Sequence, residues 1–186
     1  MDKNNIVFGL SGLIIGLLLG ILAGGKMTGG SAPASQAVQQ ASAPMANPGQ
    51  LNARIAEAEK IVAKDPKNVQ AWITLGNDYF DANNPQKSVQ AYEKALELEP
   101  NNPNVLTDQG VMFRALGFYD RAIANFEKAN KIDQNHIQSL FNLGIVYAVD
   151  LKQPAKARAA WEKLLAKDQA SEMARQTKEM LNQLPK

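Results

Sequence analysis

The sequence predicts an all-α protein, a solenoid of stacked helical hairpins behind an N-terminal transmembrane helix. Three observations carry that prediction. A large–small–aromatic pattern recurs every 34 residues through the second half of the chain. Twenty uncharged, mostly apolar residues run from Ile6 to Gly25. Between them lies a stretch too poor in large apolar residues to build a core. A fixed period of this length marks a hairpin repeat, because one hairpin cannot bury its apolar face alone and needs neighbours stacked on it.

The first element is the apolar run. At about 1.5 Å rise per residue it reaches roughly 30 Å, the hydrocarbon thickness of a bilayer. A cleaved signal peptide would be shorter and followed closely by a small-x-small site. The nearest such pattern, Ala32-Pro33-Ala34, lies well downstream, so residues 1–25 read as an uncleaved anchor. No Cys follows the run, which excludes a lipid-modified form. Gly12, Gly16, Gly20 and Gly24 fall at every fourth position. On a membrane helix they make one smooth groove, open to another copy of the chain or to a different membrane-embedded partner. The amino terminus and Lys3, against Asp2, precede the span and Lys26 alone follows it, which favours an N-terminus inside. The expectation is a single-pass protein of a bacterial inner membrane with its C-terminal domain in the periplasm.

Residues 26–50 are mostly Ala, Ser, Gln, Gly and Pro with one charge. Such a segment buries too little surface to offset chain entropy and reads as a disordered linker. As a flexible chain it spans on the order of 25–30 Å. Residues 51–186 then form the repeat domain. Leu51–Lys64 is amphipathic and ends at Asp65-Pro66-Lys67-Asn68, like the second half of a missing hairpin.

Three units follow, 69–102, 103–136 and 137–171. Their columns read Trp72/Leu106/Leu140, Leu75/Gln109/Leu143, Gly76/Gly110/Gly144 and Tyr79/Phe113/Tyr147. The second halves add Ser88/Ala122/Ala157, Tyr92/Phe126/Trp161 and Ala95/Ala129/Leu164. The small residues let two helices approach, and the aromatics fill the volume between hairpins. Asn84-Pro85 and Gln153-Pro154 place Pro in a first helical turn, where its missing N–H costs little. Unit three has one extra residue between Tyr147 and Ala157, which predicts a longer turn around Asp150–Pro154. Ser171–Leu184 follows as a capping helix with Ser171 at its N-cap.

This order of residues resembles the tetratricopeptide repeat (TPR) family over residues 69–171, with Pro100 closing the first unit as the family pattern asks. Gln109 and Gln134 depart from it, standing where Leu and Pro are usual. The resemblance implies a helical-hairpin solenoid whose first helices line a concave, peptide-binding groove. Carried over position by position, that groove presents Gln70, Ile73, Asn77, Phe80 and Asp81 from unit one. Unit two adds Asn104, Thr107, Val111 and Arg114, and unit three adds Gln138, Phe141, Ile145 and Ala148. Some family members grip an acidic peptide terminus with Lys, Arg and Asn on this face. Asn77 and Arg114 are present here, but Ile73, Val111, Phe141 and Ile145 occupy neighbouring sites, so that clamp is incomplete. For any one of the apolar residues, packing between repeats is the competing role.

Charge and composition narrow the function further. All but Lys3 and Lys26 of the 20 basic residues, and all but Asp2 of the 18 acidic ones, lie in 54–186. That near balance lacks the clustered cations a nucleic-acid platform needs. With no Cys there is no disulfide, thiol chemistry or haem-attachment motif. His136 is the one histidine; it stands in a turn between units and reads as solvent-exposed, with no companions at metal-binding spacing. Glu57 and Glu59, and Glu97 and Glu99, point apart on a helix and make no acid–base pair. No phosphate-binding glycine loop is present. The chain reads as no enzyme, with no metal and no cofactor, and as a partner of a protein or peptide client. Its single anchor, leading half-repeat and last repeat Ala159-Ala160-Trp161-Glu162-Lys163-Leu164-Leu165 are similar to the TPR subunits of bacterial cytochrome c maturation. That likeness implies an adaptor holding an unfolded client. A scaffold or assembly factor of a membrane complex, such as a translocon or secretion system, is the alternative.

Overall fold

A computed structural model describes residues 48–185. The expected anchor, with Gly12, Gly16, Gly20 and Gly24, and residues 26–47 of the expected linker lie outside them. Among the described residues, no helix is long and apolar enough to cross a membrane.

The described chain is helical throughout. Helix α1 spans Pro48–Lys64, α2 Val69–Asp81, α3 Pro85–Leu98, α4 Pro103–Ala115 and α5 Tyr119–Ile132. Helix α6 (Ile137–Ile145) runs on into a π-helical turn, Val146–Asp150, and is followed by α7 (Pro154–Lys167) and α8 (Glu172–Gln183). Helix α1 opens three residues ahead of the boundary expected at Leu51. Antiparallel hairpins form from α2 with α3, α4 with α5 and α6 with α7, each packed on the next. Helix α1 covers the first hairpin and α8 covers the last.

Short polar side chains start these helices. The Oδ1 atoms of Asn68, Asn84 and Asn102 accept from the N–H groups of Ala71, Lys87 and Val105 at 3.0, 3.2 and 3.2 Å. Ser171 Oγ accepts from the Ala174 N–H at 3.1 Å, as its sequence position predicts. Each cap satisfies one of the donors that a helix start leaves without a partner.

The packing rests on one column of glycines and one of aromatics. Tyr92, Phe126 and Trp161 are at most 1% exposed. Each ring presses on the glycine of its own hairpin, so that a Cβ at Gly76, Gly110 or Gly144 would overlap it. Trp161 Nε1 donates to the Phe141 carbonyl at 3.1 Å, and Ser88 Oγ donates to the Gly76 carbonyl at 2.9 Å. Gln109 takes the place of the expected Leu without leaving a polar group stranded. Its Nε2 donates to the Val89 carbonyl at 3.3 Å, and its Oε1 accepts from Asn125 at 2.8 Å.

The extra residue of unit three does not lengthen the turn. Asn83, Gly117 and Lys152 are the residues of positive φ (52°, 78° and 55°), and each stands two positions before its second helix. The three turns are therefore equivalent. The insertion is absorbed before them, in the π-turn Val146–Asp150. One added residue in a helix is accommodated by widening a single turn from i+4 to i+5 bonding; Leu151 N accordingly donates to the Val146 carbonyl at 3.0 Å.

Candidate functional site

The groove residues expected from the sequence stand on the first helices α2, α4 and α6 and, for Ala148, in the π-helical turn, and all but one are at least partly exposed. Gln70, Asn77, Asp81, Asn104 and Gln138 are exposed. Ile73, Phe80, Val111, Arg114, Phe141, Ile145 and Ala148 are half-buried. Ile73, Phe80 and Val111 also pack on the core beneath, as Phe141 does on the core under α8, so each shares its surface between the two roles. Thr107 is the exception. It is 1% exposed, and its hydroxyl donates to the Pro103 carbonyl at 2.9 Å, which turns it into the helix and removes it from the groove.

At the join of the first two repeats this face sinks into a depression of about 380 Å³. Arg54, Asn77, Phe80, Asp81, Tyr92 and Asp108 line it. Tyr92 donates its hydroxyl to Asn77 Oδ1 at 2.8 Å. Burial and then the charges of Asp108 and Asp81 hold the Tyr92 phenol well above its usual range, though a contact with Ser88 opposes them. Burial likewise raises the Asp108 carboxyl. Asp108 is the groove residue that the position-by-position carry-over missed. A helical wheel could have found it, since 108 falls between 104 and 111 on one stripe of α4.

Both arginines near this face are already committed. Arg54 of α1 donates to Asp78, whose side chain is fully buried, and lies 3.8 Å from Asp81. Burial raises the Asp78 carboxyl more than Arg54 lowers it. Arg114 forks onto Asp150, Nε to Oδ2 at 2.5 Å and Nη2 to Oδ1 at 3.3 Å. Asp150 ends the π-turn, so the widened turn carries the carboxylate that neutralises Arg114.

His136 is not the solvent-exposed turn residue expected. It is half-buried and caps α6, Nδ1 accepting from the Ser139 N–H at 3.3 Å while Nε2 lies 3.0 Å from Asn104 Oδ1. These contacts suit the neutral ring with its proton on Nε2, and burial holds its pKa below the usual value. Among the described residues, no group of three or more His, Cys, Asp or Glu side chains is placed to hold a metal.

The opposite side carries two equivalent furrows. One, of about 500 Å³, is lined by Trp72, Leu75, Tyr79 and Ala91, with Lys87 over the Tyr79 ring. The other, of about 380 Å³, is lined by Leu140, Leu143, Tyr147 and Ala160, with Lys156 over the Tyr147 ring. In the middle repeat the Gln109–Asn125 pair occupies the corresponding place, and Arg121 covers the Phe113 ring.

Comparison with known proteins agrees with this architecture. The Tetratricopeptide repeat family models match residues 69–102 and 104–136. A TPR repeat-containing protein of Methanocaldococcus jannaschii is 37% identical over 84 residues, 45% of this chain and 25% of that protein. Protein O-mannosyl-transferase TMTC1 of Mus musculus is 28% identical over 117 residues, 59% of this chain and 12% of that protein. The chain thus spans at most a quarter of the length of these relatives. Among solved structures, that of MamA superposes with a TM-score of 0.66 at 21% identity, over 73% of this chain and 78% of that one. The first TPR of Spaghetti (RPAP3), bound to an HSP90 peptide SRMEEVD, does so with a TM-score of 0.56 at 17% identity, over 62% and 93%. The first two hairpins of this chain match the tetratricopeptide repeat, and the domain is an all-α helical solenoid of the kind suited to protein–protein interaction.

Proposed function

We propose that this protein is a membrane-tethered adaptor that holds a polypeptide client along α2, α4 and α6. One observation carries the reading: a single face combines half-buried apolar side chains (Ile73, Phe80, Val111, Phe141, Ile145) with exposed amides (Gln70, Asn77, Asn104, Gln138). Amides satisfy the backbone of an extended or helical segment, and apolar side chains bind its anchors. The first TPR of Spaghetti (RPAP3), a related fold, was solved bound to a peptide. The uncharged run 6–25 supports the tether and, with its glycine column, a membrane-embedded partner or a second copy. The half-repeat α1 and the Ala159–Leu165 sequence support a place in cytochrome c maturation, the client being an unfolded apocytochrome. No chemistry is assigned to the chain itself.

Photo-crosslinking in the membrane from Ile73, Val111 and Phe141, with the trapped partners identified by mass spectrometry, tests the proposal. Apocytochrome or haem-handling partners are expected. Adducts confined to subunits of an assembled translocon or secretion complex would replace the adaptor with a scaffold. An absence of adducts from all three positions would remove the groove from the binding surface.

A further inference from the structure

The depression at the join of the first two repeats allows the client to be described more closely, on the reading that the groove holds a polypeptide. We infer that the held segment carries a basic side chain, Arg or Lys, which seats between Asp81 and Asp108 against the Phe80 ring, and that the groove rejects acidic segments.

The argument is one of charge complementarity in a partly apolar groove. Four charged side chains stand in or beside the depression: Arg54, Asp78, Asp81 and Asp108. Arg54 and Asp78 cancel, and the pair cannot be redeployed, because Asp78 is fully buried and releasing Arg54 would strand its carboxylate. Asp81, which shares Arg54 only at 3.8 Å, and Asp108 line the same depression, so three carboxylates there face one guanidinium. Asp108 is desolvated and has no hydrogen-bond or ion-pair partner among the described residues. Holding a carboxylate in that condition costs stability, and an incoming cation would remove the cost. A guanidinium or ammonium placed there donates charge-assisted hydrogen bonds to the carboxylates. The half-buried Phe80 ring offers the same cation an aromatic face.

The groove's other end gives no opposing field. Arg114, the cation expected there from the sequence, is neutralised by Asp150. Along α2, α4 and α6 the excess charge is thus acidic, the inverse of what a peptide such as SRMEEVD, with its run of acidic residues, would need. Val111, next along the α4 stripe, and Phe141 on α6 supply apolar contact for residues flanking the basic one.

The test pans a random dodecapeptide library displayed on phage against the full 186-residue chain and its Asp108→Asn and Asp81→Asn variants. Val111 carries a photo-crosslinker in each, so that groove binders are scored. The isosteric change at Asp108 and the exposed position of Asp81 give two independent routes to a folded variant. The expected pool is enriched in peptides with one Arg or Lys beside apolar residues. Replacing that basic residue by Gln in a selected peptide should weaken binding about tenfold, the usual scale of a charge-assisted hydrogen bond, and replacing it by Glu should weaken it further. Either variant should shrink the difference between the Arg and Gln peptides. Selection of apolar or acidic peptides, equally by all three proteins, overturns the basic-residue inference and leaves the groove intact. Failure to enrich any peptide that crosslinks at Val111 overturns the client-holding reading itself.

Discussion

Gly144→Ala isolates the packing rule of the repeat more sharply than any other single change. Two effects oppose each other. Alanine is a better helix former than glycine by about 1 kcal/mol, so a position with free space would be stabilised. Here the added Cβ would fall on the indole of Trp161, which is 1% exposed and held by its Nε1–H to the Phe141 carbonyl at 3.1 Å. The atoms in the way belong to a rigid ring fixed in place, so the ring or the hairpin must move. Overpacking costs about 1–3 kcal/mol, and a displaced indole N–H left buried without an acceptor costs about 1–3 kcal/mol more. Set against the propensity gain, the net loss is roughly 1–5 kcal/mol. That is a large part of the ~5–15 kcal/mol typical of a whole domain. The assay is urea unfolding followed by fluorescence, to which Trp72 and Trp161 are the tryptophan contributors. Gly117→Ala is the control: it meets no atom within 4 Å, and only its φ of +78° opposes the change. A Gly144→Ala midpoint at or above that of the parent would refute the reasoning, because it would mean the hairpin has room that the packing denies.

Two further changes test the electrostatics at the join of the first two repeats. Arg54→Met leaves the buried Asp78 carboxylate without its cation. With Arg54 half exposed and screened by water, a loss of roughly 1–3 kcal/mol at neutral pH is expected. Protonated Asp78 needs no cation, so the deficit should shrink as pH falls through the carboxylate range; a loss independent of pH would remove Asp78 as its origin. Asp108→Asn should raise the unfolding midpoint at pH 7. Burial lifts the folded-state pKa of Asp108 above its unfolded value, so the ionised form destabilises the fold above that range and the gain should fade as pH drops through it. A variant less stable than the parent at pH 7 would show that the carboxylate has a stabilising partner.

The fold was legible because its rule is repeated. Gly76, Gly110 and Gly144 recur with Tyr92, Phe126 and Trp161 at fixed spacing, and the contact between the two columns is the same in each hairpin. Repetition averages out local ambiguity, which is why even Gln109 did not obscure the second unit. The groove was legible less completely. Position-by-position transfer assigns Thr107 by column, but its hydroxyl has an alternative inside the helix, the Pro103 carbonyl one turn back. Asp108 escaped because a column shared among relatives contains nothing about a residue particular to this chain. His136 escaped because capping needs a ring nitrogen placed by the turn, and its partner Asn104 lies on another helix 32 residues away.

The inserted residue shows how a small change in length can act on recognition. An insertion in the loop would have altered only the turn, which tolerates such changes. Placed instead after Ile145, it widens one turn of the helix that faces the groove. The turn ends at Asp150, whose carboxylate accepts from Nε and Nη2 of Arg114. Arg114 is the residue through which the groove would otherwise attract an anion. With it neutralised, Asp81 and Asp108 would set the sign of the field in the proposed groove, and one backbone feature in the third repeat would bear on which clients suit a depression built from the first two. This makes the π-turn and the acidic depression parts of one arrangement. On the proposed reading, Arg114, present at a position associated with acidic-peptide binding, would not by itself make this groove a receptor for such peptides.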